Sequence, residues 1–213
     1  MQGDLTAWLF SASTFALSMS GTPGPNNAMV AASGATYGFA RTLPHMLGVS
    51  VGFPVMLVAV ALGGGDLLRT FPAVHDALRW IGVAYLLWLA FRIATARPVV
   101  PASSASGPAA TGASSRPLSF LQAALFQWVN PKAWVIALGS VATYTNADGR
   151  AVIVQAAVLG AIFLVVTLPT TAFWTMTGVG AARLLRTEQG LRAFNLAMAA
   201  LLVASLLMLL REG

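Results

Sequence analysis

Apolar residues run along this chain in six long stretches, and polar residues gather mainly between them. A helix needs about 20 apolar residues to cross the roughly 30 Å hydrocarbon core of a bilayer. By this measure the pattern predicts six membrane spans, at residues 5–38, 43–64, 73–95, 118–143, 151–175 and 191–210. The pattern therefore predicts an all-α integral membrane protein.

The first stretch is too long for one straight span, and a polar segment interrupts it. At 1.5 Å per residue it would reach about 50 Å as a single helix. The interruption contains Pro23, Gly24, Pro25, Asn26 and Asn27. Proline removes a backbone donor and pushes the preceding residue out of the α region, and backbone groups freed in this way have to face protein or a polar cavity. We therefore predict that the first helix is broken inside the membrane.

The fourth stretch carries a second interruption, Trp128-Val129-Asn130-Pro131-Lys132. Lys132 is the only lysine in the chain. A charge inside a membrane costs at least about 2.5–3.5 kcal/mol on insertion scales and normally faces the bundle interior or water. We interpret Lys132 as a partner for a substrate carboxylate or as a gating charge, with snorkelling to an interface as the alternative. Gln127, one turn before Asn130, either shares the site or bonds to another helix.

A segment rich in Pro, Ala, Ser, Gly and Thr, residues 98–117, separates the third and fourth stretches and is typical of a mobile linker. It divides the chain into residues 1–97 and 118–213, each with three predicted spans. Leu78–Tyr85 in the third span resembles Leu191–Met198 in the sixth. Because each half has an odd number of spans, a repeat would be inverted across the membrane. We predict six transmembrane helices as a 3+3 inverted repeat with broken first and fourth helices.

The composition agrees with a membrane protein and excludes several functions. Hydrophobic residues make up 57% of the chain and charged residues 8%, against roughly 25% charged residues in soluble domains. The net charge of +6 comes from charges that stand singly, whereas nucleic-acid binding needs clusters. The chain has no cysteine, which excludes disulfides and thiol catalysis. Its two histidines, His45 and His75, are too few and too far apart in sequence to favour a histidine metal site. We expect no enzyme activity, no metal and no cofactor.

Titratable side chains inside the predicted spans are rare. No acidic residue lies clearly within a span, so the sequence shows no obvious carboxylate for proton coupling. His45, at the start of the second span, is interpreted as an interfacial histidine, with a proton relay as the alternative.

Basic residues near the span ends predict the orientation. The amino terminus has no basic region before its apolar stretch, so it does not resemble a cleaved signal peptide. One side of the membrane would carry seven arginines and the other four: Arg41, Arg92, Arg97, Arg116, Arg183, Arg186 and Arg192 against Arg69, Arg79, Arg150 and Arg211. The more basic side is normally cytoplasmic. We therefore expect both termini outside and the linker inside.

Two pairs of glycines stand four residues apart within apolar stretches: Gly34 with Gly38, and Gly48 with Gly52. Small residues at this spacing allow helix backbones to approach closely. We interpret both pairs as helix-packing surfaces. Whether they pack within one subunit or between the subunits of a homodimer stays open.

These motifs together resemble the LysE/RhtB family of bacterial amino-acid exporters over nearly the whole chain. The segments that carry the resemblance are Thr22–Asn27, Ser33–Gly34, Tyr37–Phe39, Gly48–Phe53, Gly82–Ala90 and Asn130–Lys132. The doubled asparagine and Tyr85–Ala90 are most similar to the branch that exports cysteine and O-acetylserine. The resemblance implies multi-pass insertion in the bacterial inner membrane and export driven by the proton gradient, without nucleotide hydrolysis and with protons as the coupling ion.

We predict a substrate site where the two broken helices meet. It comprises Pro23, Gly24, Pro25, Asn26 and Asn27 from the first break and Gln127, Asn130, Pro131 and Lys132 from the second. An amino acid is zwitterionic, so its carboxylate needs positive potential and its ammonium needs oxygen acceptors. The amino termini of the half-helices and Lys132 would supply the positive potential. Carbonyls of the unwound segments and asparagine side-chain oxygens would supply the acceptors. Rocking of the two halves would give alternating access. A channel for small solutes and a non-transporting membrane scaffold are the alternatives.

Overall fold

The computed structural model describes residues 2–64, 70–96, 116–145, 149–185 and 187–211, and the regular structure in these ranges is helical. Eight α-helices are described: α1 Gln2–Gly21, α2 Pro25–Tyr37, α3 Phe39–Ala59, α4 Pro72–Thr95, α5 Phe120–Phe126, α6 Pro131–Tyr144, α7 Gly149–Leu185 and α8 Glu188–Arg211. A π-helical turn, Val60–Gly64, extends α3, and a 3-10 turn, Gln127–Val129, extends α5. Most of the predicted linker lies outside the described residues, as do Arg69, Arg97 and Arg186.

Four of the described helical stretches are long and apolar enough to cross a bilayer: Phe39–Gly64, Asp76–Thr95, Ala151–Leu185 and Glu188–Leu207. The predicted first and fourth spans are instead interrupted, as α1 with α2 and as α5 with α6. This agrees with the all-α membrane class that the apolar pattern predicts.

The first break lies between Gly21 and Pro25. Gly24 is fully extended, with φ −177° and ψ −178°, and Pro25 opens α2 at a position where its missing N–H is not needed. The carbonyls freed at the end of α1 find donors in side chains. The Nδ2 of Asn27 donates to Ser20 O at 2.7 Å and to Thr22 O at 2.9 Å. This amide therefore satisfies backbone carbonyls at the end of α1, which an apolar environment requires.

Side chains also close the second break. Asn130 caps α6 by accepting a hydrogen bond from the backbone N–H of Lys132 at 3.2 Å, and Pro131 is the first residue of that helix. The indole Nε1 of Trp134 donates to Trp128 O at 2.8 Å. The interruption is thus a defined turn with satisfied polar groups.

The longest helix, α7, brings the two halves of the chain together. It packs against α1, α2 and α3, while α4 pairs with α8 and α3 also packs on α5. One buried apolar cluster includes Leu86 of α4 and Leu202 of α8. A second includes Phe53 of α3 and Phe163 of α7, whose ring centroids are 4.8 Å apart. The two breaks lie among these contacts.

Three of the four predicted packing glycines lie against backbone of a neighbouring helix. A Cβ on Gly34 would collide with the carbonyl oxygen of Thr175, and a Cβ on Gly48 with that of Phe120. Gly52 lies in the same way against Ala124. Gly38 differs from its predicted packing role. No atom lies within 4 Å of its Cβ direction, and its φ of +81° makes it the turn between α2 and α3.

Gly178 of α7 offers a test of close helix packing. A Cβ there would collide with the carbonyl oxygen of Ala31 in α2, whereas nothing lies within 4 Å of the Cβ direction of Gly180. Gly178→Ala should therefore lower the free energy of unfolding by about 1–3 kcal/mol, as overpacked sites do. Gly180→Ala is the matched control on the same helix. Thermal unfolding in lipid nanodiscs measures both, and equal melting temperatures would contradict close packing at Gly178.

Candidate functional site

The two helix breaks meet through a reciprocal pair of side-chain amides. The Nδ2 of Asn26 donates to the Oε1 of Gln127 at 2.9 Å, and the Nε2 of Gln127 donates back to the Oδ1 of Asn26 at 3.1 Å. Gln127 is 0% exposed, and its Nε2 also donates to Ala123 O at 2.9 Å. Of the two roles expected for Gln127, the structure shows bonding to another helix. The pair ties the first break to the second.

The ammonium of Lys132 lies in a cup of oxygen atoms at the end of α1. Its Nζ donates to Thr22 Oγ1 at 2.8 Å, to Thr22 O at 3.1 Å and to Pro23 O at 3.4 Å. These three contacts match the three donors of an ammonium group, and the carboxyl end of a helix favours a cation. We call these three oxygens the oxygen cup. Lys132 therefore turns towards the first break.

The side chain of Lys132 passes directly over Gly24. A Cβ built on Gly24 would lie 2.9 Å from both the Cδ and the Nζ of Lys132. Because the backbone of Gly24 is extended, any residue adopts its conformation without strain. A side chain at position 24 would therefore require the end of the Lys132 side chain to shift.

A cavity of about 50 Å³ lies where the breaks meet α3 and α7. Five of the predicted site residues line it, namely Gly24, Asn26, Asn27, Asn130 and Lys132. At about 10–15 Å³ for one water molecule, the cavity has room for a few waters. An amino acid needs more room, so binding one requires the helices to move apart.

Four predicted site residues lie outside the cavity lining. Pro23 contributes its carbonyl to the oxygen cup. Pro25 and Pro131 open α2 and α6, and Gln127 is paired with Asn26. These four residues shape the breaks and hold them together.

The amino termini of the two half-helices differ in their capping. Asn130 supplies a side-chain cap for α6, whereas no side chain caps α2, which begins at Pro25 after Gly24. The amino end of a helix carries positive potential and free N–H donors. The end of α2 is therefore the better of the two for an anionic group in the cavity.

Sequence reasoning missed the wall that α7 contributes. Thr167 and Thr171 line the cavity together with Ser20 of α1, and the hydroxyls of Ser20 and Thr167 are 3.2 Å apart. Thr167, Thr171 and Thr175 are all buried. Their spacing of four residues places them on one helix face, and this periodicity within an apolar span was the signal that could have revealed them.

The burial of His45 is a second feature that the sequence did not reveal. The sequence interpretation made it an interfacial residue, but its side chain is only 2% exposed. Neither ring nitrogen has a hydrogen-bond partner among the described residues. Helices packed against α3 enclose the imidazole, and the interfacial position stays a prediction.

Comparison with known proteins places the chain among transport proteins. The profile of a family described as LysE type translocator matches residues 17–213. The cysteine/O-acetylserine efflux protein of Escherichia coli (strain K12) is 30% identical over 192 residues, covering 89% of this chain and 91% of that relative. Proteins of the same name from Escherichia coli O157:H7 and Shigella sonnei (strain Ss046) have the same identity and coverage. No solved structure matches the chain significantly.

Proposed function

The chain belongs to the LysE type translocator family, and on this premise we propose that it exports small amino acids or close derivatives from the cytosol. It is a membrane transport protein and not an enzyme. The relatives named as efflux proteins make cysteine and O-acetylserine the first candidate substrates. The observation that carries the proposal is the cavity between the two helix breaks, because it offers both kinds of partner that a zwitterion needs.

The ammonium of Lys132 stands where the ammonium of a substrate would bind. The oxygen cup holds Lys132 in the substrate-free protein. A substrate ammonium would take these oxygens, and the released Lys132 would pair with the substrate carboxylate together with the uncapped amino end of α2. Substrate and lysine therefore compete for one set of oxygens. Lys132 would thus make different contacts in the substrate-free and substrate-bound protein. A substrate can shift the protein between conformations only if the contacts differ between them in this way.

The remaining walls favour a small, uncharged side chain. Ser20, Thr167 and Thr171 offer hydroxyls, and Val49 and Phe53 are apolar. No acidic side chain is among the described residues that line the cavity, so the amino group of a basic side chain would have no counter-ion. Cysteine and O-acetylserine both fit this chemistry.

The helix pairing supports alternating access. Counting α1 with α2 and α5 with α6 gives six spans, in which α3 corresponds to α7 and α4 to α8. Both corresponding pairs pack against each other, and such contacts are compatible with two inverted halves. We propose that the halves rock about these contacts, that protons drive export, and that both termini lie outside the inner membrane. Homodimer formation stays a hypothesis.

The first test is transport by the purified protein in proteoliposomes. Export of labelled cysteine, O-acetylserine and a panel of other amino acids would be followed with and without an imposed pH gradient. We expect saturable export of a few small neutral amino acids that the gradient accelerates. Counterflow separates a carrier from a channel, because only a carrier accelerates labelled substrate when unlabelled substrate is present on the other side. Absence of amino-acid transport would overturn the proposal and favour the scaffold.

A further inference from the structure

His45 is a buried polar side chain that the proposed substrate site does not use. Its exposure is 2%, and both ring nitrogens are buried without a hydrogen-bond partner among the described residues. A buried polar group left without a partner destabilises the folded protein, whereas an apolar residue there would not. Such a group in a folded protein requires an explanation.

The position of His45 connects it to the cavity. His45, Val49 and Phe53 follow one another at intervals of four residues and therefore share a face of α3. Val49 and Phe53 line the cavity, so His45 lies one helical turn beyond its wall. One turn further, the hydroxyl of Thr42 is 3.0 Å from that of Ser33 in α2. The imidazole thus lies along a face that joins the cavity to a polar contact between α2 and α3.

His45 differs in kind from the other charged and titratable groups described on α3 and on the elements packed against it. Among the described residues of α3 and the elements packed on it, these groups are Arg41 on α3 itself, Tyr37 on α2, Lys132 and Tyr144 on α6, and Arg150 and Arg183 on α7. Helix α5 and the two short turns carry none. No carboxylate is present in this set, and imidazole is the side chain that ordinarily titrates near neutral pH.

We propose that His45 binds the proton that couples export to the proton gradient. The proposal rests on the proposed export function. Imidazole takes a proton from water on one side of the membrane and releases it on the other, so no bond other than N–H forms or breaks. The closed structure offers the imidazolium no acceptor, so protonation favours a conformation that hydrates His45. Proton occupancy thereby shifts the balance between closed and open states.

The transport test compares His45→Gln with His75→Gln, which removes the other histidine of the chain. Labelled cysteine is the probe, in proteoliposomes. For one proton exchanged, a gradient of one pH unit sustains up to about a tenfold substrate ratio. His45→Gln should reduce this ratio to about 1 while counterflow at equal pH continues, and His75→Gln should behave as the unmodified protein. Gradient-driven accumulation that survives in His45→Gln would overturn the proposal.

A second measurement decides about His45 even if cysteine is not transported. In the His75→Gln protein, labelled histidine gives one imidazole NMR signal, and it belongs to His45. In lipid nanodiscs this signal should change from the neutral to the charged form as the pH is lowered from about 8 to below about 4. A signal that stays neutral throughout would overturn proton binding at His45. Absence of amino-acid transport by the unmodified protein would overturn the proposed function and the coupling role with it, even if His45 titrates. The NMR result also stands if His45→Gln fails to fold.

Discussion

Replacing Lys132 with methionine should reduce export about 100-fold and leave the protein folded. The variant loses a cation that donates to three oxygens of Thr22 and Pro23 and that we propose as the partner of the substrate carboxylate. Hydrogen bonds to a charged group contribute about 1.5–3 kcal/mol each. A loss of about 3 kcal/mol in the rate-limiting state corresponds to roughly a 100-fold slower rate. The fold should persist because Thr22 O keeps its hydrogen bond from Asn27.

The measurement is the initial rate of export from proteoliposomes, with thermal unfolding as the control for folding. Lys132→Arg keeps the charge but replaces a compact ammonium with a broad planar group, so it should retain more export than methionine and less than lysine. Export by Lys132→Met at the original rate would show that this ammonium only satisfies oxygen atoms at the helix break and takes no part in transport.

The sequence was sufficient to predict the helix breaks because their causes are local. Two prolines on either side of Gly24 disfavour a continuous helix, and α1 ends at Gly21 while α2 begins at Pro25. Single prolines, in contrast, are tolerated inside α3 and α7. The interior position of Lys132 followed from the energy of a charge in hydrocarbon. Local chemistry thus predicted five of the fourteen residues that line the cavity, and these five lie at the two breaks.

The missed features depend on contacts between distant parts of the chain. Asn26 and Gln127 are 101 positions apart, and no local rule predicts that their amides pair. Helical periodicity shows that His45 and Val49 share a face, but it does not show which helix covers that face. Gly38 has the spacing of a packing residue, and only its φ of +81° reveals the turn. The sequence does not show which helix packs against each helix face, and the missed features depend on this.

Gly24→Ala should reduce export by about 10-fold, less than Lys132→Met, although it adds a single methyl group. The added Cβ would lie 2.9 Å from the Cδ and the Nζ of Lys132, so the end of this side chain has to shift and its contacts with the oxygen cup weaken. Stability should change little, because Gly24 is extended and lies outside the helices. The loss of export would then come from the position of one ammonium group.

Gly21→Ala is the matched control for this substitution. Gly21 is the last residue of α1, and nothing lies within 4 Å of its Cβ direction, so this variant should export at the original rate. Combining Gly24→Ala with Lys132→Met separates the two explanations of a loss. If alanine acts by displacing the ammonium, the double variant should be no slower than Lys132→Met alone, because residues that act through one contact are not additive. If the double variant instead shows the product of the two single reductions in export rate, Gly24 contributes to transport independently of Lys132.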